Sequence, residues 1–306
     1  MTLVAAVDAQ NLVDALGLGA IYALMAVGIG LVFGVLRLVN FAYGQLIMAG
    51  AFALAYASRA GWSTWQAIAA CFVVVVGLSL VMELVVFRPL RTQSPAVMLV
   101  ATFAVSFLLQ SIALLIVLKV QGQIGVPASA VSQLSQAITI GGVDVRKVTI
   151  VALAVAVVAL AGLALLLGRT TIGLQMRAAA TDFTTARLLG VSANRVIALA
   201  VLLAGVIAAA CAVLLTARQP YVQSDFALHD MIIVLVGVVV GGIDRLWTAT
   251  LGGFAIGFAA GVINGALPTD KSVYLPSALF ALVILVLILR PAGLFARGRS
   301  TVVDRV

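Results

Sequence analysis

Nine apolar stretches alternate with short polar breaks along the chain, at 12–36, 46–57, 66–87, 96–118, 148–168, 196–217, 231–240, 246–267 and 273–289. A helix needs roughly 20 apolar residues to cross the hydrocarbon core of a bilayer, and most of these runs are near that length. Two of them, 46–57 and 231–240, are short. The fold expected is all-α: a polytopic transmembrane helix bundle of about 8–10 spans, some of them short and broken. Residues 1–306 read as a single transmembrane domain.

Composition decides the class. Hydrophobic residues are 64% of the chain and charged residues 9%, against about 25% charged in a soluble domain. Mean hydropathy is +1.26. The net charge of +8 does not point to nucleic acid, because the basic residues stand singly between apolar runs and form no patch. The first of them is Arg37, so no basic region precedes the opening apolar run and no cleaved signal peptide is expected. Cys71 and Cys211 both lie in apolar runs and read as packing residues.

One polar insertion stands out, Arg169–Arg195, between two full-length apolar runs. Met176, Ala179, Phe183, Ala186 and Leu189 recur in it at steps of three and four, which places them on one helical face. Gly190 stands where such a helix would stop, since glycine accepts a left-handed backbone at low cost. Ser192 offers an N-cap to the next helix. The expectation is an amphipathic helix held outside the membrane, with its apolar face free to dock.

Charge asymmetry orients the chain. With 169–195 in the cytoplasm and the spans alternating, one side carries Arg37, Arg88, Arg91, Arg169, Arg177, Arg187, Arg195, Arg245, Arg290, Arg297, Arg299 and Arg305. The other carries Arg59, Lys119, Arg146, Lys147, Arg218 and Lys271. The N-terminus then falls outside and the C-terminus in the cytoplasm.

No catalytic set is visible. His229 is the lone histidine and reads, beside Asp230, as a surface residue, so no metal cluster is expected. No glycine-rich phosphate loop followed by lysine is present, so ATP would have to be used by another subunit. Glu83 lies one turn from Arg88 and Arg91 and reads as their structural partner rather than a proton relay. Gln110 and Asn264 read as helix-packing residues. The break at 37–45 is different. Asn40, Tyr43, Gly44 and Gln45 sit between two apolar helices, as a substrate path or as a cytoplasmic turn. The pattern of helix, break and glycine-rich helix at 28–57 recurs at 235–263, either as an internal repeat or by chance.

Several motifs carry a family resemblance. GAIYALMAVGIGLVFGVLRLVNFAYGQLIMAGAF at 19–52, ELVVFRPLR at 83–91, GLQMRAAATDFTTARLLGVSANRV at 173–196 and RPAGLF at 290–295 resemble the branched-chain amino acid ABC importer permeases. The resemblance runs along nearly the whole chain. It implies a bacterial cytoplasmic-membrane permease that performs no covalent chemistry itself. The implied partners are a second permease subunit, two cytoplasmic ATPase subunits that hold the ATP and Mg, and an extracytoplasmic solute-binding protein. Arg177, Ala180, Asp182, Phe183, Ala186, Arg187, Leu189 and Gly190 would form the ATPase-coupling segment. Asn40, Tyr43, Gly44 and Gln45 would line the translocation path. The family commonly has His where this chain has Tyr43 and frequently Glu where it has Gln45. Related permeases carry urea, short amides or aromatic acids, so the solute stays open.

Overall fold

The structure is a computed structural model and describes residues 9–36, 39–90, 93–140, 143–181, 183–242, 245–267 and 274–289. Its helices in order are α1 (Ala9–Leu36), α2 (Tyr43–Arg59), α3 (Thr64–Met82) and α4 (Arg88–Leu90), which continues α3 through a π-turn. Next come α5 (Pro95–Gln121), α6 (Lys147–Arg169), α7 (Thr171–Thr181), α8 (Phe183–Leu188) and α9 (Ala193–Arg218). The chain ends with α10 (Leu228–Gly241), α11 (Leu246–Ala266) and α12 (Leu275–Leu289). Every apolar run of the sequence is a helix. Six helices among the described residues are long and apolar enough to cross a membrane, while α2, α10 and α12 are shorter.

Helix α1 is the axis. Its most apolar window is 83% buried, against 22% for α5 and 17% for α6. Those two turn Phe103, Phe107, Leu108, Leu115, Val157 and Val158 outward, as helices facing lipid do. Lipid is as apolar as leucine, so burial alone does not hold spans together; close van der Waals contact does. The α1–α11 contact shows how. Gly253, Gly257, Gly261 and Gly265 recur every fourth residue along one face of α11. They meet Ala26, Tyr22, Ala15 and Asn11 of α1, which runs antiparallel. A Cβ at any of the four would collide with α1.

Hydrogen bonds mark one end of the bundle. Gln10 Nε2 donates to the Asp144 carbonyl at 2.7 Å, Asn11 to the Gly265 carbonyl at 3.3 Å, and Ser135 Oγ to the Ala217 carbonyl at 2.5 Å. The starts of α1 and α6 therefore lie with the ends of α9 and α11. The opposite end joins the end of α6, α7 and the start of α11, where Leu167, Gly168, Arg177 and Trp247 line one cavity. Connectivity thus separates Arg59, Lys119, Arg146, Lys147 and Arg218 from Arg88, Arg169, Arg177, Arg195 and Arg245, the grouping drawn from the sequence. Arg37, Arg91, Lys271 and the basic tail from Arg290 lie outside the described residues.

Three features add to the sequence reading. The polar loop 119–147 holds short strands. Within it β2 (Ala137–Ile140) pairs antiparallel with β3 (Val143–Arg146), and β1 (Gly125–Pro127) pairs with β4 (Tyr221–Gln223). Glu83, 4% exposed, opens the π-turn Glu83–Phe87 and forms no ion pair with Arg88 among the described residues. The two helix–break–helix units also differ. Gly237, Gly241 and Gly252 hold α10 and α11 together as a tight hairpin, whereas α1 packs on α11 and α2 on α3 and α9. Cys71 and Cys211 are free and buried, as packing residues are.

Candidate functional site

The break after α1 is not a surface turn. Tyr43, the first residue of α2, is fully buried with its ring against Gly28, where any Cβ would overlap it. Gly28 lies two turns before the end of α1, about 12 Å back along the axis. The chain therefore re-enters the bundle before α2 begins. Backbone groups freed at such depth need partners. Asn40 supplies one, its Oδ1 accepting from the Ala42 N–H at 3.0 Å. Thr102 of α5 supplies another, its Oγ1 accepting from the Phe41 N–H at 3.4 Å.

Helix α10 is the second short helix, and its start meets the start of α2. Gly44 faces the Ala227 carbonyl and the Met231 side chain, and a Cβ there would lie 3.2 and 3.1 Å from them. Gly44 thus forms the seam between two helix N-termini, with Tyr43 and Gln45 flanking it in sequence. Asn40 and Gln45 are 4% and 1% exposed. Among the described residues, neither amide atom of Gln45 nor the Tyr43 hydroxyl has a hydrogen-bond partner. Each such buried orphan costs about 1–3 kcal/mol relative to a satisfied group. Beside the seam, the Tyr22 hydroxyl of α1 donates to Asp230 Oδ1 of α10 at 2.5 Å. Asp230 is half-buried rather than a free surface acid.

The polar insertion departs from a single amphipathic helix. It forms two helices, α7 and α8, with Asp182 between them outside the described residues. Gly173 folds α7 tightly onto the last turn of α6, against the Leu166 carbonyl and Leu167. Met176, Ala179 and Ala186 are 2%, 4% and 2% exposed, so this part of the periodic apolar face is turned into the protein, while Leu189 of the same face is not. The reason is length: an insertion tethered at both ends to spans has the bundle itself as its nearest apolar surface. Leu188 and Leu189 are 83% and 80% exposed. Arg177 is exposed and Ala180 half-buried; the side chains of Phe183 and Arg187 lie outside the described residues. Gly190 ends the element as expected, with φ at +86° and the Val191 N–H reaching the Ala186 carbonyl at 3.0 Å. Ser192 holds the N-cap position of α9 without a side-chain cap bond.

Sequence reasoning missed Tyr22, Thr102, Gly173 and Asp230. The first and last are 208 residues apart and meet only through the fold. A carboxylate beginning an apolar helix, at Asp230, was the available signal.

The chain matches the family described as branched-chain amino acid transport system, permease component, over residues 11–290. It is 29% identical over 299 residues to the high-affinity branched-chain amino acid transport system permease protein BraD of Pseudomonas aeruginosa, covering 94% of this chain and 95% of that protein. It is 28% identical over 303 residues to the corresponding Escherichia coli K12 permease LivH, with coverages of 94% and 95%. A permease named as probable in the same group, from Methanocaldococcus jannaschii, is 26% identical over 291 residues, with coverages of 89% and 87%. In fold, the chain is similar to a solved ABC transporter of the metal-chelate type in an inward-facing conformation. The TM-score is 0.54 at 18% identity, covering 92% of this chain and 86% of that one. With its apolar helices, buried α1 axis and family match along almost its whole length, the chain is a multi-pass membrane protein of the branched-chain amino acid transport permease family, a transport component rather than an enzyme.

Proposed function

We propose that the chain is one of two membrane subunits of an ATP-driven importer that takes up branched-chain or related hydrophobic amino acids from a solute-binding protein. The family match over 11–290 is the observation that carries this reading. Two ATPase subunits on the cytoplasmic side bind ATP and Mg, and a second permease completes the pathway. The α7–α8 element receives their motion. It is clamped to α6 at Gly173 and runs into α9 through Gly190, so a displacement of Leu188 and Leu189 moves both flanking spans together. The seam between the α2 and α10 N-termini is the part of the path that opens. Urea, short amides or aromatic acids are the second reading of the solute, favoured by the neutral Tyr43 and Gln45 at that seam.

The test of coupling is the double substitution Leu188→Asp, Leu189→Asp in the reconstituted complex. ATP hydrolysis should continue while solute uptake falls by about tenfold or more, the loss expected when an exposed apolar anchor becomes charged. Unchanged uptake removes α7–α8 from the coupling route. Orientation has its own test. Cysteines placed singly at Ser132 and Ser300, with Cys71 and Cys211 replaced by alanine, are exposed to an impermeant thiol reagent on intact cells. Only Ser132→Cys should be labelled if the N-terminus is outside and the C-terminus cytoplasmic; the reverse pattern inverts the chain.

A further inference from the structure

A polar cavity of about 220 Å³ lies at the start of α10, lined by Gln219, Gln223, Asp225, His229 and Asp230 with the rings of Tyr221 and Phe226. It belongs to neither the seam nor the coupling element. Its position follows from the fold. Strand β4 leaves the end of α9, pairs with β1, and drops through a turn into α10. That turn opens a hollow between the strands and the first turn of α10. The hollow comes close to the seam: Asp230 lines the cavity, and the next residue, the buried Met231, touches Gly44. A solute resting there is one residue step from the α2–α10 contact.

The lining chemistry selects the kind of group. Two carboxylates and two primary amides line the cavity, and among the described residues neither lysine nor arginine does. Arg218 stands close enough for Asp230 to feel its charge, but its guanidinium is turned to the Asp14 carbonyl, at 3.5 Å. Asp230 is fixed by the Tyr22 hydroxyl on one oxygen, so its carboxylate is oriented before any solute arrives. An ammonium group offers three donors to such a site, and the glutamine side chains supply further acceptors. An anion would face two carboxylates. The faces of Tyr221 and Phe226 suit an ammonium or the apolar carbon beside it.

We propose that this cavity is the entry vestibule of the permease, where the Asp230 carboxylate, positioned by Tyr22, receives the ammonium group of the incoming amino acid. The proposal rests on the importer reading above and extends it: solutes are sorted a second time, by their charge, before they reach the seam. Gln219 and Gln223 hold the rest of the polar end, and the apolar side chain points along α10 toward Met231.

The experiment uses the complete importer in proteoliposomes, with His229→Cys, on the cavity lining, as a reporter and Cys71 and Cys211 replaced by alanine. Labelling of that cysteine by a polar thiol reagent is timed with leucine, 3-methylbutylamine or 4-methylpentanoate present, and leucine uptake is measured in the same vesicles. Leucine and the amine should slow labelling while the carboxylate does not. Asp230→Asn should raise the concentration for half-protection about tenfold or more, the loss of one charge-assisted bond. Tyr22→Phe, which keeps the ring and removes the hydroxyl, should raise it less and serves if the Asp230 variant does not fold. Protection by 4-methylpentanoate equal to that by the amine overturns the proposal. So does leucine uptake with no protection by either ammonium compound, which leaves the importer reading standing. Protection by the amine without leucine uptake keeps the vestibule and removes the branched-chain solute.

Discussion

Two glycine-mediated contacts in this protein look alike in sequence and differ in what they leave unpaired. In the α1–α11 contact, four glycines spaced by four bring the helices together over most of their length, and both helices are continuous there. At the α2–α10 seam, Gly44 brings two helix starts together, with the Tyr43 hydroxyl and both Gln45 amide atoms buried beside it without partners. The first contact loses everything if separated. The second recovers hydrogen bonds if separated, because water or a polar solute can then reach those atoms. A rigid frame and a movable partition can thus be built from the same residue type; the neighbouring polar atoms set which one results.

Substitutions can break that contrast. The largest effect belongs to Gly257→Leu, which drives a side chain into Gly19 and Tyr22 of α1. Overpacking of this kind costs about 1–3 kcal/mol where neighbours can yield; here the opposing atoms include α1 backbone, so folded protein recovered by size exclusion after mild heating should collapse. Full recovery would mean that α1 and α11 separate easily and are no frame. Next comes Asn40→Leu, which removes the acceptor of the Ala42 N–H and leaves that group buried and unpaired. It should lower stability by about 1–3 kcal/mol and slow uptake together, read by thermal unfolding and by transport in the same preparation. The smallest and opposite effect belongs to Tyr43→Phe. It deletes a hydroxyl with no partner, so stability should hold or rise by about 1 kcal/mol while uptake falls, because the closed seam is favoured. A stability loss as large as that of Asn40→Leu would show that the hydroxyl is bonded in the resting protein and that the seam is an ordinary packing contact.

Much of this could be read from the residues. Apolar runs located the long helices, because a bilayer demands length and hydropathy and both are local properties. Gly190 declared its own role, since a left-handed position at a helix end is set by a few neighbouring bonds. The grouping of Arg59, Arg146 and Arg218 apart from Arg88, Arg169 and Arg245 followed from alternation alone. Depth did not. Hydropathy records that 46–57 is apolar, not that the ring of Tyr43, at the start of α2, packs on Gly28, about 12 Å back from the end of α1. The stripe Met176, Ala179 and Ala186 was visible, but a 3.6-residue period reads the same whether the face meets a partner or the parent bundle. The strands at 125–127 and 221–223 pair across the intervening helices α6 to α9, and short pairings of that kind leave no local trace. Tyr22 and Asp230 are joined in the same way, by topology rather than by pattern.

The glycine ladder of α11 also sets how this sequence can drift over evolutionary time. Every alternative amino acid adds at least one carbon, and at Gly253, Gly257, Gly261 and Gly265 that carbon has nowhere to go. No compensating change on α1 is available at Gly19 or Ala15, which are already at or near the smallest side chain. Selection therefore acts on these four codons almost independently of which solute is carried, whereas the lipid-facing side of α5 accepts one apolar residue for another. Among permeases that have exchanged their cargo, the ladder should persist as a fixed signature while the α5 surface wanders.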